Sequence, residues 1–339
     1  MGGDGPAIPA CLKTLRRGRA LLRVAGLRGL LALLPGAVRC RMPSGDRASC
    51  ASAVARRPAV LRGLLLCLAL CLSGASLANA NANANANAGE GAQRVVALAP
   101  SLSEIMLELD AAERLVGVLD GGPRPAGLEH LPSLGRYGQL NLEALLALRP
   151  DLILLWPDSV GPAMQAQLAA LGIPLIEARP RSLDELAGQL AVIGAAVGHA
   201  AAGARLAQRL REGVRELAAR HARAEPLTVF YQVWDRPLYT LGGRQIVSDA
   251  LRLCGARNVF EDLSLPAPQV SVEAVLARDP ALILVGEAAQ ADAWQAWPQL
   301  RAVRLGQVWQ VPDRGLERPS FQMLAATERL CARLAQAQP

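Results

Sequence analysis

The chain has 339 residues, and its 36 Lys and Arg against 29 Asp and Glu give a formal net charge of +7. The positive charge is concentrated at one end. Residues 1–88 contain 12 basic and 2 acidic side chains, whereas residues 89–339 contain 24 basic and 27 acidic ones. Because the longer segment has no net positive field to attract phosphates, the composition argues against nucleic-acid binding.

The residue inventory also argues against several enzyme classes. The only lysine is Lys13, so residues 89–339 have none for a Schiff base or a P-loop. The three histidines (His130, His199 and His221) are not at metal-ligand spacing, and CxxC and HExxH are absent, which argues against a built-in metal site. An exported hydrolase using Asp120 or Asp235 remains a remote alternative, although no spacing indicates a matched acid–base pair.

The N-terminal segment, residues 1–88, is predicted to be a leader. Arginines at 56, 57 and 62 precede the apolar run 64–72, and small residues from Ala78 to Ala80 suit a cleavage site, which is the pattern of a secretory signal peptide. The run is short for a retained membrane anchor. Met42 is an alternative start to Met1, and the alternating Ala-Asn tract that ends at residue 88 is predicted to be a disordered tether.

The first predicted elements after the leader are a strand and a helix. Residues 94–99 predict a strand that is apolar after Arg94, and Ser101 with Glu104 has the spacing of a capping box that would start the helix. Residues 227–233, followed by an apolar helical pattern from Ile246, repeat this strand-then-helix order in the second half of the chain.

An internal repeat at an offset of 130 residues sets the predicted architecture. Residues 141–156 align with residues 271–286, and eight of the sixteen positions are identical. Each copy predicts an N-capped helix, a break at a proline and a buried parallel strand. We therefore predict two similar α/β lobes, residues 93–181 and 226–339.

The segment between the lobes, residues 182–224, is predicted to be helical. It starts with a second capping box, Ser182 with Glu185, and contains no proline. A break near Gly198 and His199 is compatible with the pattern. Two lobes joined by a stiff helix leave a cleft between them with limited hinge freedom, and such interfaces favour ligand pockets.

Export would leave two cysteines in the mature chain, Cys254 and Cys331. They are either two separate buried thiols or a disulfide, and an even pair in an oxidising compartment favours the disulfide.

Several segments together carry a resemblance to a known family. They are residues 95–104, 137–143, 149–156, 236–243, 253–260 and 266–271. In these segments, residues 93–339 resemble the periplasmic binding proteins of ABC importers with a helical backbone, and most closely the members that bind cobalamin. The resemblance implies a transported ligand rather than a cofactor, no catalysis, a periplasmic location, and a permease dimer with its ATPase as the partner.

The resemblance also implies roles for individual residues. The implied ligand-binding residues are Pro100, Tyr137, Trp156, Trp234 and Tyr239. Glu143 and Glu317 match the acidic pair that docks on arginines of the permease, and Cys254 and Cys331 match the disulfide of the family. Two positions depart from the pattern, since Gly121 and Gly315 stand where relatives have aromatic side chains. Trp294, Trp297 and Trp309 are predicted to be packing residues.

Other ligands of the same superfamily are alternatives. Haem would need an axial ligand, for which Tyr137 and Tyr239 are the candidates in the cleft. Anionic ferric siderophores would need converging guanidinium groups, and the candidates are Arg136, Arg236, Arg244 and Arg318.

Overall fold

The computed structural model describes residues 91–339. The predicted signal peptide, the cleavage site near Ala78 to Ala80 and the whole of the predicted tether lie outside the described residues.

The first part of the described chain forms a six-stranded α/β layer. Its strands are β1 (Val95–Leu98), β2 (Leu115–Asp120), β3 (Ser133–Arg136), β4 (Gln139–Leu140), β5 (Leu152–Leu155) and β6 (Leu175–Glu177). Its helices are α1 (Pro100–Glu108), α2 (Leu142–Ala147) and α3 (Pro162–Ala170). The strand order is β4-β3-β2-β1-β5-β6, and all neighbours are parallel except the pair β3 and β4.

Two helices, α4 (Leu183–Ala196) and α5 (Ala200–Arg220), follow the first sheet. A non-helical stretch at residues 197–199 separates the two helices, as the pattern around Gly198 predicts. The helices pack closely where two glycines meet, because a Cβ atom on Gly194 would lie 2.8 Å from the Cα atom of Gly203. The longer helix has 21 residues, which corresponds to a rod of about 32 Å.

The second α/β layer follows these helices. Its strands are β7 (Leu227–Trp234), β8 (Tyr239–Thr240), β9 (Ala256–Asn258), β10 (Leu282–Val285) and β11 (Val308–Gln310). Its helices are α6 (Ile246–Leu253), α7 (Val272–Arg278), α8 (Ala288–Trp294), α9 (Arg301–Arg304) and α10 (Met323–Leu334). The path is β11-β10-β7-β8, and β9 pairs with β7. The predicted fold class, two similar α/β lobes joined by helices, is confirmed, while the exact lobe boundaries stay a prediction.

The repeat in the sequence corresponds to a repeat in the structure. Asn141 accepts a hydrogen bond from the Ala144 amide at 3.0 Å to start α2, and Ser271 accepts one from the Ala274 amide at 3.2 Å to start α7. Each helix leads into a fully buried strand, β5 or β10, that pairs in parallel with the first strand of its lobe. Side-chain capping at each helix start therefore sets the same local geometry twice.

The predicted capping box at the start of α1 is wrong, whereas the one at α4 holds in part. Helix α1 begins at Pro100 with Ala99 as its N-cap and no side-chain cap. Proline supplies a helical φ and has no amide hydrogen to satisfy, so the helix starts without Ser101. At α4, Ser182 accepts a hydrogen bond from the Glu185 amide, but the Glu185 carboxylate accepts from the Arg181 amide instead of the N-cap amide.

One apolar cluster runs through both lobes. It joins residues of β1, α1 and β5 to the buried faces of α4 and α5, and continues into β7, α6 and α10. Because the two helices share a core with both sheets, a large rotation of one lobe against the other would expose apolar surface. Within residues 91–339, none of the helices has the length and apolar character that crossing a membrane requires.

The predicted disulfide is confirmed. Cys254 at the end of α6 is bonded to Cys331 in α10, with a separation of 77 residues along the chain, and both residues are buried. The bond therefore fixes the last helix to the second lobe.

Candidate ligand-binding cleft

The cleft lies where the carboxyl ends of the parallel strands meet. In an α/β sheet, the loops that follow these ends lie along one edge, where ligands usually bind. Trp156 follows β5 in the first lobe, and Arg244 and Pro266 lie in loops of the second lobe. All three line a single cavity of about 170 Å³, so the two edges face each other.

Two predicted ligand-binding residues lie together on the first lobe. Tyr137, in the β3–β4 loop, has 56% of its surface exposed, and Trp156 is half-buried at the end of β5. Gly138 donates a backbone hydrogen bond of 2.8 Å to Ser159, which ties the tyrosine loop to the turn after Trp156. Partial burial raises the pKa of Tyr137 and Asp158 raises it further, while Arg179 and a hydrogen bond with Trp156 oppose the shift.

The third predicted ligand-binding residue of this lobe is Pro100. It packs against Gly121 at the carboxyl edge of the first sheet, where there is little free space. A Cβ atom on Gly121 would lie 2.8 Å from Cγ of Pro100. The space beside these residues is about 10 Å³, which is no more than one water molecule needs. The space next to Gly121 is therefore filled by the proline ring.

The second lobe contributes a separate aromatic pair. Trp234 at the end of β7 and Tyr239 in β8 are register partners on antiparallel strands, so their side chains lie on the same face. Trp234 has 58% of its surface exposed, and its indole nitrogen donates to the Arg236 carbonyl oxygen at 3.2 Å. Each lobe thus presents two neighbouring aromatic rings.

The second lobe contains a larger cavity of about 320 Å³. Nothing in the sequence predicts this cavity. Gln232, Asp235 and Trp297 are among the residues that line it. Trp294, which also lines it, is buried, packs edge-to-face on Phe230 and donates to Gln232 at 2.6 Å. The sequence singles out Asp235, Arg236, Trp294 and Trp297 one by one, but no pattern in it groups them around one cavity.

The two predicted docking carboxylates are exposed, one on each lobe. Glu143 is in the first turn of α2, where the helix dipole favours a negative charge. Glu317 ends a short 3₁₀ turn, and its Oε1 accepts a hydrogen bond of 3.3 Å from the buried hydroxyl of Tyr231. Burial raises the pKa of Tyr231 well above its usual value, and the Glu317 carboxylate adds to that shift.

A polar network connects α1 of the first lobe to the segment before α10. Glu104 forms an ion pair of 2.9 Å with Arg318, and Glu108 accepts backbone hydrogen bonds from Phe321 and Gln322 at 2.8 and 2.9 Å. Desolvation raises the pKa of both carboxyl groups, and the Arg318 charge lowers that of Glu104 in part. These contacts join the two lobes.

The arginines proposed for an anionic siderophore do not converge. Arg318 is engaged by Glu104, and Arg236 is 92% exposed beside Asp235. Arg136 is the last residue of β3 on the first lobe, and Arg244 lines the cavity between the lobes.

The carboxylates proposed for a hydrolase are engaged in contacts of their own. Asp120 accepts hydrogen bonds from Arg124 and Ser133, which lower its pKa and keep it ionised. Asp235 lies 3.5 Å from Arg236. Across residues 91–339, no three His, Cys, Asp or Glu side chains are grouped as a metal site would need.

Two α/β lobes joined by packed helices leave a cavity between them that Trp156, Arg244 and Pro266 help to line, which is the architecture of a receptor that holds its ligand between two lobes. The model of the periplasmic binding protein family matches residues 95–314, and the chain belongs to this family. It is therefore a substrate-binding protein and not an enzyme.

Comparison with individual proteins gives a consistent result. The chain is 33% identical over 250 residues to a vitamin B12-binding protein of Vibrio cholerae serotype O1, covering 73% of this chain and 91% of the relative. It is 34% identical over 251 residues to the vitamin B12-binding protein of Yersinia pestis strain Pestoides F, covering 73% and 88%.

The solved structures include relatives with different ligands. The periplasmic vitamin B12 binding protein BtuF of Vibrio cholerae is 32% identical, with a TM-score of 0.67 over 73% of this chain and 99% of that one. The periplasmic heme-binding protein RhuT of Roseiflexus sp. RS-1 is 25% identical, with a TM-score of 0.60 over 71% and 97%.

Proposed function

We propose that this protein binds cobalamin or a related corrinoid between its lobes and delivers it to an ABC permease dimer. The observation that carries the proposal is the pair of aromatic groups, Tyr137 with Trp156 on one lobe and Trp234 with Tyr239 on the other. The identity to vitamin B12-binding proteins over nine-tenths of their length supports it.

Aromatic side chains suit the faces and the rim of a corrin ring. A corrin is a large macrocycle with apolar faces and amide side chains at its edge. Tyr and Trp offer broad apolar surfaces at a low cost in conformational entropy, and their polar atoms can bond to amides. Pro100 follows β1 and adds a rigid apolar surface at the same edge of the sheet as Trp156, which follows the neighbouring parallel strand β5.

Haem is the alternative ligand, because the structural relatives include a haem-binding protein. A haem held by tyrosine would use Tyr137 or Tyr239 as an axial ligand, and a phenolate is the form that binds the iron. Burial and the Asp158 charge raise the pKa of Tyr137 and so disfavour its phenolate.

Delivery is assigned to the two exposed carboxylates. Glu143 and Glu317 lie on different lobes, so they can fix the orientation of the protein on two arginine-bearing permease subunits. The ATPase of the transporter would supply the energy. The leader, with its predicted cleavage near Ala78 to Ala80, would bring the chain to the periplasm.

The binding site is tested by titrating cyanocobalamin into the purified protein while tryptophan fluorescence is recorded. Tyr137→Ala and Tyr239→Ala should each weaken binding by about 10- to 100-fold, since a buried aromatic contact contributes about 1–3 kcal/mol. Trp309→Ala is the matched control, because Trp309 packs under Arg333 away from the aromatic pairs. Equal affinities in all three variants would contradict the location of the site.

A further inference from the structure

The cavity between the lobes is lined by three arginines and one carboxylate. Arg179 and Arg181 come from the segment after β6, and Arg244 comes from the loop before α6. Asp158 is the only acidic residue among those that line this cavity. The lining therefore has an excess of two positive charges, although residues 89–339 have more acidic than basic side chains.

Most of this positive charge has no acidic partner. Asp158 pairs with Nη2 of Arg179 at 2.7 Å. No salt bridge is formed by Arg181 or Arg244 in the described part of the chain, and both side chains are exposed to the cavity region. The Nε atom of Arg179 is buried and has no hydrogen-bond partner in residues 91–339.

The same cavity is lined by Trp156 and Pro266. A ligand that packs on the Trp156 ring could therefore also place an anionic group against the arginines. Arginine donors in this arrangement match the oxygens of a phosphate, because the planar guanidinium can form two parallel charge-assisted hydrogen bonds.

We infer that Arg179, Arg181 and Arg244 form a subsite for the phosphodiester of the ligand. The inference rests on the proposed function, since cobalamin carries one phosphodiester, in the nucleotide loop that connects the corrin to its lower base. The corrin packs on the aromatic pairs while the phosphate oxygens accept hydrogen bonds from the arginines between the lobes. The subsite thus distinguishes complete corrinoids from those that lack the nucleotide loop.

A comparison of three ligands isolates the contribution of the phosphate to binding. They are cyanocobalamin, cobinamide phosphate and cobinamide, which has neither phosphate nor base. Calorimetry would compare their affinities for the wild type, Arg181→Gln and Arg244→Gln. Each substitution should weaken cyanocobalamin and cobinamide phosphate by about five- to tenfold and leave cobinamide unchanged. The wild-type affinity for the two phosphate-containing ligands should also fall as salt is raised.

Arg205→Gln is the matched control, because Arg205 is exposed on α5 and does not line the cavity. It should leave all three affinities unchanged. Equal weakening of cobinamide, or no weakening of either phosphate-containing ligand, would overturn the subsite while leaving corrinoid binding intact. A wild type that binds none of the three ligands would overturn the proposed function and the subsite with it.

Discussion

The hydroxyl of Tyr231 donates a hydrogen bond of 3.3 Å to Oε1 of Glu317. Tyr231 is buried in the central strand of the second sheet, whereas Glu317 is exposed. The bond therefore connects the core of one lobe to a carboxylate on its surface. Glu143, the acidic residue proposed for docking on the first lobe, is held by the first turn of a helix instead.

Tyr231→Phe should reduce the free energy of unfolding by about 1 kcal/mol, which is the typical net contribution of one hydrogen bond. The cyanocobalamin affinity should not change, because Tyr231 lines neither cavity described above. Urea denaturation of Tyr231→Phe, Glu317→Ala and the double variant would give the coupling energy, because alanine leaves the hydroxyl no acceptor at this position. A coupling energy near zero would show that the bond contributes nothing to stability.

Neutralising the proposed docking residues should separate delivery from binding. Glu143→Gln and Glu317→Gln should each weaken association with the transporter and make it less sensitive to salt, because an electrostatic contact is lost. Their cyanocobalamin affinities should stay within about twofold of the wild type, since exposed charges outside a site contribute little. Binding to transporter in nanodiscs would be measured.

Glu273→Gln is the control for this pair, because Glu273 occupies the equivalent position to Glu143 in the repeat. It should leave transporter association unchanged. If it weakened association as much as the other two variants, docking would not depend on Glu143 and Glu317 in particular.

Gly121→Ala should destabilise the first lobe. The new Cβ atom would lie 2.8 Å from Cγ of Pro100, and a proline ring cannot turn away. Overpacking of this kind typically costs about 1–3 kcal/mol. Gly161→Ala is the control, because a Cβ atom there would meet nothing within 4 Å. Equal unfolding free energies for both variants in urea would contradict the packing described here.

The network between the lobes should make stability depend on pH. Burial raises the folded-state pKa of Glu104 and Glu108 above the usual value of 4.5 for a glutamate side chain. A raised acid pKa means that the folded state binds the proton more tightly, so these groups stabilise the fold below pH 4.5 and that stability is lost as the pH rises through the folded pKa.

Glu104→Gln removes one of these titrations. The unfolding free energy of the wild type should therefore fall relative to that of the variant between pH 4.5 and 7.5, as measured by urea denaturation. Glu328→Gln, on the exposed face of α10, is the control. A difference between wild type and Glu104→Gln that stays constant with pH would contradict this prediction.

The fold was predictable because its signals are local. Asn141 and Ser271 cap helices through residues three positions away, and the proline and apolar run that follow act within a few residues. Glu104 shows the limit of this approach. Its spacing from Ser101 indicated a capping box, but its partner is Arg318, which is more than 200 residues away in the chain. Only the folded arrangement of both lobes brings them together.

The candidate ligand-binding site could be predicted only at the positions that the family resemblance assigns. The resemblance assigned Tyr137 and Trp156, which the structure brings together, and Arg244 was named for an anionic ligand, but nothing indicated the second-lobe cavity or the part of Arg179 and Arg181 in the space between the lobes. Arg179 and Arg244 lie on different lobes, and no periodicity in the sequence relates them.

The most direct test of the account is a calorimetric titration of the purified protein with cyanocobalamin, with haem and a ferric siderophore titrated in parallel. We predict saturable binding of one cyanocobalamin per chain, with a higher affinity than that for haem or for the siderophore. Binding of haem or of the siderophore without binding of cyanocobalamin would contradict it.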